Sequence, residues 1–325
     1  MVSMQTRAWP LFDEIVKSAP QRALNPWDEG TYRPDFDTLC LLLAVPLHLG
    51  ANTQSRVPAL ALDVWVAYEL RRAGLDPDAV WPREEAPRVI DTEILRMVRA
   101  LKPQALSKQI LDKLKKGTGV GGVAGANANM LGKNYFKQVD VVMTSWKTGP
   151  ELMISTKRMD SSFGKNMQNR VEESYGDAKN LSLRHPLSSI GFFYALRSTA
   201  YDEAKTQYLW LVDMLTKLGR EEDAYDACCL VMPQWAGAAP ADDGSDTEDE
   251  STDEVEDVEA EEPVEDIEAV IASMPTVTLR HELVPEELSA SRFFKVMVDG
   301  VLDRSPISQH KQARHLRSPQ DPAFT

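Results

Sequence analysis

Residues 138–181, QVDVVMTSWKTGPELMISTKRMDSSFGKNMQNRVEESYGDAKNL, decide the fold. Two β-prone runs, 139–144 and 151–158, flank a turn marked by Gly149-Pro150. A helix fits 165–181, with Met167, Val171, Ser174, Ala178 and Leu181 along its buried stripe. Beyond it the alternation continues, with a strand at 189–196, a helix at 202–218 and a strand at 227–232. Strands alternating with helices indicate the α/β class, a mixed sheet flanked by helices.

On the N-terminal side the pattern is helical from residue 8 to about residue 116. The run RVPALALDVWVAYELRRAG, residues 56–74, has a broad apolar face and closes on Arg71, Arg72 and Gly74, a C-terminal signal. Further amphipathic helices fit 91–101 and 105–116. The expected organisation is a helical N-terminal region (1–116), an α/β core (117–237), an acidic disordered linker (238–270), and a C-terminal helix and tail packed on the core (271–325). The C-terminal helix spans about 285–303 and the tail after it frays.

Charge is distributed unevenly. The chain has 325 residues, 36 Lys and Arg against 50 Asp and Glu, and a net charge of -14. Sixteen of the acids lie within 241–270, which has no Lys or Arg, so the rest of the chain is nearly neutral. Residues 101–220 hold 18 basic residues against 10 acids. The acidic stretch is either a solvated linker or a nucleic-acid mimic and handle for a basic protein partner. A hydrophobic content of 43% excludes wholesale disorder.

The three cysteines, Cys40, Cys228 and Cys229, have no CxxC spacing. The longest apolar stretch, 39–49, is too short for a membrane span of about 20 residues. A cytoplasmic protein without a membrane partner is the expectation. The glycine-rich passage 117–132 matches no phosphate-cradling motif. No Ser or Thr follows Gly132-Lys133, and a lysine-rich helix rather than a strand precedes Gly119.

Asp140 in the first strand, Ser155-Thr156-Lys157 in the second and the helix after them resemble the PD-(D/E)xK nuclease superfamily, the fold of many type II restriction endonucleases. Two positions depart from the pattern. Val139 stands where the family has proline, and Ser155 where it has an acid. Some restriction enzymes with such a replacement recruit a glutamate from the following helix, which here means Glu172 or Glu173.

The resemblance implies a restriction-endonuclease-like sheet and a magnesium-dependent DNA endonuclease acting in restriction or defence, with a homodimer as a further expectation. Asp140 and one of Glu172 and Glu173 would hold Mg2+ or Mn2+, Lys157 would orient or activate water, and Ser155 would line the site. Lys133, Lys137, Arg158, Lys165, Asn169 and Arg170 are the candidate nucleic-acid contacts. Loss of the second acid leaves a different reading open, a DNA-binding or scaffold protein on a degenerate nuclease fold.

Overall fold

The computed structural model describes residues 3–115, 123–125, 127–237 and 266–318. The chain opens with helix α1 (Met4–Ser18), a small hairpin of β1 (Trp27–Asp28) and β2 (Thr31–Tyr32), then α2 (Phe36–Leu49) and α3 (Val57–Arg72). Short strands β3 (Val80–Trp81) and β4 (Val89–Ile90) precede α4 (Thr92–Ala100) and α5 (Gln104–Lys115). Next come β5 (Ala124–Gly125), β6 (Ala128–Leu131) and β7 (Phe136–Val139). The central segment supplies β8 (Val141–Ser145), β9 (Gly149–Met159) and α6 (Lys165–Ser182). Then follow β10 (Ser189–Leu196), α7 (Ala200–Glu203), α8 (Lys205–Leu218), β11 (Ala227–Val231) and β12 (Pro233–Gln234). The last elements are α9 (Ile267–Ala272), β13 (Thr278–Leu279), α10 (Ala290–Arg304) and α11 (Lys311–Arg317).

The main sheet has the order β11-β10-β9-β8-β3. Strands β9, β10 and β11 run parallel, whereas β8 is antiparallel to both β9 and β3. Every residue of β10 is buried, as a strand with parallel neighbours and helices on both faces requires. Alternate side chains feed two cores. Leu152, Ile154, Phe193 and Cys229 join α1, α2, α3 and α10 on one face. Met153, Phe192, Tyr194 and Cys228 join α6 and α8 on the other.

Several boundaries differ from the sequence reading. The N-terminal region is not separate from the sheet, because β3 forms its edge strand and α3 packs on its face. A two-residue strand carries too little pattern to be read in advance. The helix at 202–218 is broken at Ala204, and the C-terminal helix begins at Ala290 with Ser289 Oγ accepting from Arg292 N.

Most of the acidic stretch, 238–265, lies outside the described residues. Its end does not: α9 sets Ile267, Val270 and Ile271 against the first core. The tail is docked as well. Arg317 Nε lies 2.9 Å from Asp299 Oδ1, and α11 crosses Gly74 so closely that a Cβ there would lie 2.8 Å from Ala313 N. Among the described residues no helix is long and apolar enough to cross a membrane.

Helix α3 is buried nearly all round, which fits its apolar sequence and its place between α2 and the sheet. Its buried acid Glu69 accepts from Asp35 N at 2.7 Å, from the Tyr32 hydroxyl at 2.8 Å and from Arg72 Nη1 at 2.7 Å. Burial pushes the Glu69 carboxyl up to about 7, against the pull of Arg72 and these hydrogen bonds. Glu69→Ala would leave Arg72 buried without its carboxylate. The expected loss of stability is about 3–5 kcal/mol by chemical denaturation, and a loss below about 1 kcal/mol would contradict this account of how α3 is anchored.

Candidate active site

Strand β9 is much longer than β8, and the site lies where the shorter strand gives out. The last paired residues are Val141 and Ile154, so Asp140 comes opposite Ser155, just beyond the ladder. On its other side β9 stays paired with β10 as far as Met159. Asp140 takes over from the missing partner strand: its Oδ2 accepts from the Thr156 backbone N–H at 2.7 Å.

Alternation along β9 gives neighbouring residues opposite roles. Leu152, Ile154 and Thr156 face α3, while Met153 faces the side covered by α6. Thr156 is 3% exposed, and its hydroxyl donates to Asp63 Oδ1 at 2.5 Å. Asp63 is a partly buried acid in the middle of α3. Thr156 thus joins two carboxylates, Asp140 through its backbone and Asp63 through its side chain.

The electrostatics tie Lys157 to the same group. Burial pushes the Asp63 carboxyl well above the usual carboxylate range, and the nearby Asp140 pushes it the same way. The Thr156 hydrogen bond and the Lys157 charge pull it down. Two acids and a lysine therefore interact at the end of the β8–β9 ladder.

Asp63 has no place in the sequence expectation, where Glu172 and Glu173 are the candidates for the second acid. Both glutamates are exposed on α6, and Glu173 Oε1 lies 3.1 Å from Lys137 Nζ. The α6 residues expected to be buried (Met167, Val171, Ser174, Ala178 and Leu181) are all buried. The glutamates flank that stripe, and the acid that shares Thr156 with Asp140 comes from α3. Glu151 lies toward the other end of β9, with its Oε2 2.7 Å from His310 Nε2.

The candidate nucleic-acid contacts divide. Lys133 and Asn169 are exposed. Lys137 Nζ lies 2.8 Å from Asp177 Oδ2 as well as near Glu173, so it joins β7 to α6. The Arg158 side chain is 2% exposed, pairs with Asp160 at 2.9 Å and lies over the Trp235 ring. That burial corrects its reading as a surface contact. Arg170 Nη1 donates to the Arg158 carbonyl at 3.0 Å, a bond that holds α6 to β9. The Lys165 side chain lies outside the described residues.

Among the described residues, no group of three or more His, Cys, Asp or Glu side chains is arranged to hold a metal ion. A magnesium site does not need three, since one or two carboxylates with waters and substrate phosphate suffice. Asp63 and Asp140 fit that requirement, being two hard-oxygen donors whose mutual repulsion a cation would relieve.

No known family model matches the chain, nor does any curated protein or solved structure.

Removing either influence on Asp63 should move its titration in a known direction. Thr156→Val deletes a hydrogen bond that favours the carboxylate, so the Asp63 midpoint should rise further. Asp140→Asn deletes a repelling charge, so it should fall. Carboxyl carbon NMR titration of the metal-free protein measures both, and an unmoved midpoint in both variants would contradict the cluster.

Proposed function

We propose that the chain is a metal-dependent nuclease that hydrolyses phosphodiester bonds of DNA. The observation that carries this reading is the convergence of Asp63 and Asp140 on the hydroxyl and backbone N–H of Thr156, with Lys157 next in the strand, on a mixed sheet flanked by helices. The resemblance of the 138–181 segment to the PD-(D/E)xK superfamily supports it, with Asp63 serving in place of an acid at Ser155.

A bound divalent cation would neutralise phosphate charge and lower the pKa of an attacking water. Asp63 and Asp140 would hold it. Thr156 fixes the orientation of both acids before substrate arrives, so little rearrangement is needed on binding. Lys157 places a positive charge beside them, suited to the non-bridging oxygens of a phosphate or to orienting a water for attack. The basic excess between 101 and 220 favours a polyanionic substrate over a small neutral one.

Supercoiled and linear DNA incubated with Mg2+ or Mn2+ provides the test. Asp63→Asn, Asp140→Asn and Lys157→Ala should each lower the cleavage rate by about 100-fold or more, as expected for groups acting on the reacting atoms. Glu172→Gln and Glu173→Gln should stay near wild type. Absence of metal-dependent cleavage by the wild-type protein would favour a DNA-binding scaffold instead. Loss of cleavage in a glutamate variant but not in Asp63→Asn would return the second acid to α6.

A further inference from the structure

The hairpin of β6 and β7 leads straight into the candidate site, since β7 ends at Val139 and Asp140 follows. Its inner face is occupied: Ala128, Met130 and Val139 pack in the second core, and Lys137 pairs with Glu173 and Asp177 on α6. The outer face carries Asn129, Leu131, Phe136 and Gln138, with Leu131 opposite Phe136 and Asn129 opposite Gln138. Phe136 is 67% exposed, Leu131 37% and Tyr135, at the turn, 46%. Such exposure of an aromatic–aliphatic pair on a strand ribbon calls for an explanation.

We propose that this outer face docks in a groove of duplex DNA and sets where the candidate site cuts. The inference rests on the nuclease reading. Residues 127–139 contain four amide side chains from Asn and Gln, no acid, and, besides Lys137 on the inner face, Lys133 at the turn. That composition suits DNA better than a protein surface, because lysine meets phosphate, amides pair with adenine edges and apolar side chains meet thymine methyls. A two-stranded ribbon also fits the major groove, which is about 12 Å wide.

The spacing to the site agrees with this. Phe136 is four residues from Asp140, about 13 Å along an extended strand, or roughly four base pairs at about 3.4 Å each. The ribbon is held ready in place. Tyr135 Oη donates to Asp177 at 3.0 Å, Gln138 Nε2 donates to Asn127 Oδ1 at 3.2 Å, and Asn180 Nδ2 donates to the Tyr135 carbonyl at 3.0 Å. Lys133 is exposed at the turn.

The test compares the full-length wild-type chain with Phe136→Ala and Lys133→Ala. Binding to a fluorescent duplex is followed by anisotropy without divalent metal, over a salt series. Phe136→Ala should weaken binding about tenfold at every salt concentration. Lys133→Ala should reduce the slope of log affinity against log salt by about 1. Circular dichroism should show both variants folded, since both side chains are exposed.

Variants that bind as wild type would overturn the inference while wild-type cleavage still upheld the nuclease reading. Wild-type protein that bound duplex through the hairpin yet cut nothing would do the opposite, upholding the docking face and overturning the nuclease reading. No duplex binding by the wild type would overturn the inference. So would a wild-type dimer that Phe136→Ala dissociates in size-exclusion chromatography with duplex affinity unchanged, because the face would then belong to a protein contact.

Discussion

The candidate site depends on one residue, Thr156, held by both ends. Its backbone N–H goes to Asp140 and its hydroxyl to Asp63. The first bond would not exist if β8 continued to pair beyond Ile154, nor the second if α3 did not lie against the sheet. The end of the ladder exposes a backbone donor within a buried strand, and such a donor is costly unless it finds an acceptor. Asp140 satisfies it. Strand alternation turns the Thr156 side chain toward α3, where its hydroxyl reaches Asp63.

The second requirement is a well-anchored α3. Helix α3 lies between α2 and the sheet, and its far end is held by Glu69, Arg72, Tyr32 and Asp35. Gly74, just past that end, admits the backbone of α11. The chain's C-terminal helix thus braces the helix that delivers Asp63. A buried ionic network of this kind fixes position more than it adds stability. For a site built from two side chains on different elements, position is what matters.

Much of this fold can be read from local pattern. The long strand in 151–158, the helix at 165–181 with its buried stripe, and the apolar run 189–196 follow from side-chain periods of 2 and 3.6. So does the hairpin of β8 and β9, which the Gly149-Pro150 turn announces, although Asp140 falls just before β8 rather than within it. Asp63 is not legible in the same way. It is 93 positions from Thr156, and only tertiary packing unites them. Its one local signal is an acid within the apolar run 57–68, which reads equally well as a break in the apolar face. The choice of Glu172 or Glu173 relies on sequence proximity, whereas the acid that shares Thr156 with Asp140 is distant in sequence. Arg158 misleads for a related reason, since a cation in a strand is normally solvated, yet this one is covered by Asp160 and Trp235.

The central claim is that Asp63 and Asp140 together form a divalent-cation site. Crystals soaked in Mn2+ and measured at its absorption edge test this most directly. The account predicts an anomalous peak within coordination distance of both carboxylates, adjacent to Lys157. A peak at Glu172 or Glu173 instead, or no peak near Asp63 and Asp140 at saturating Mn2+, would contradict it.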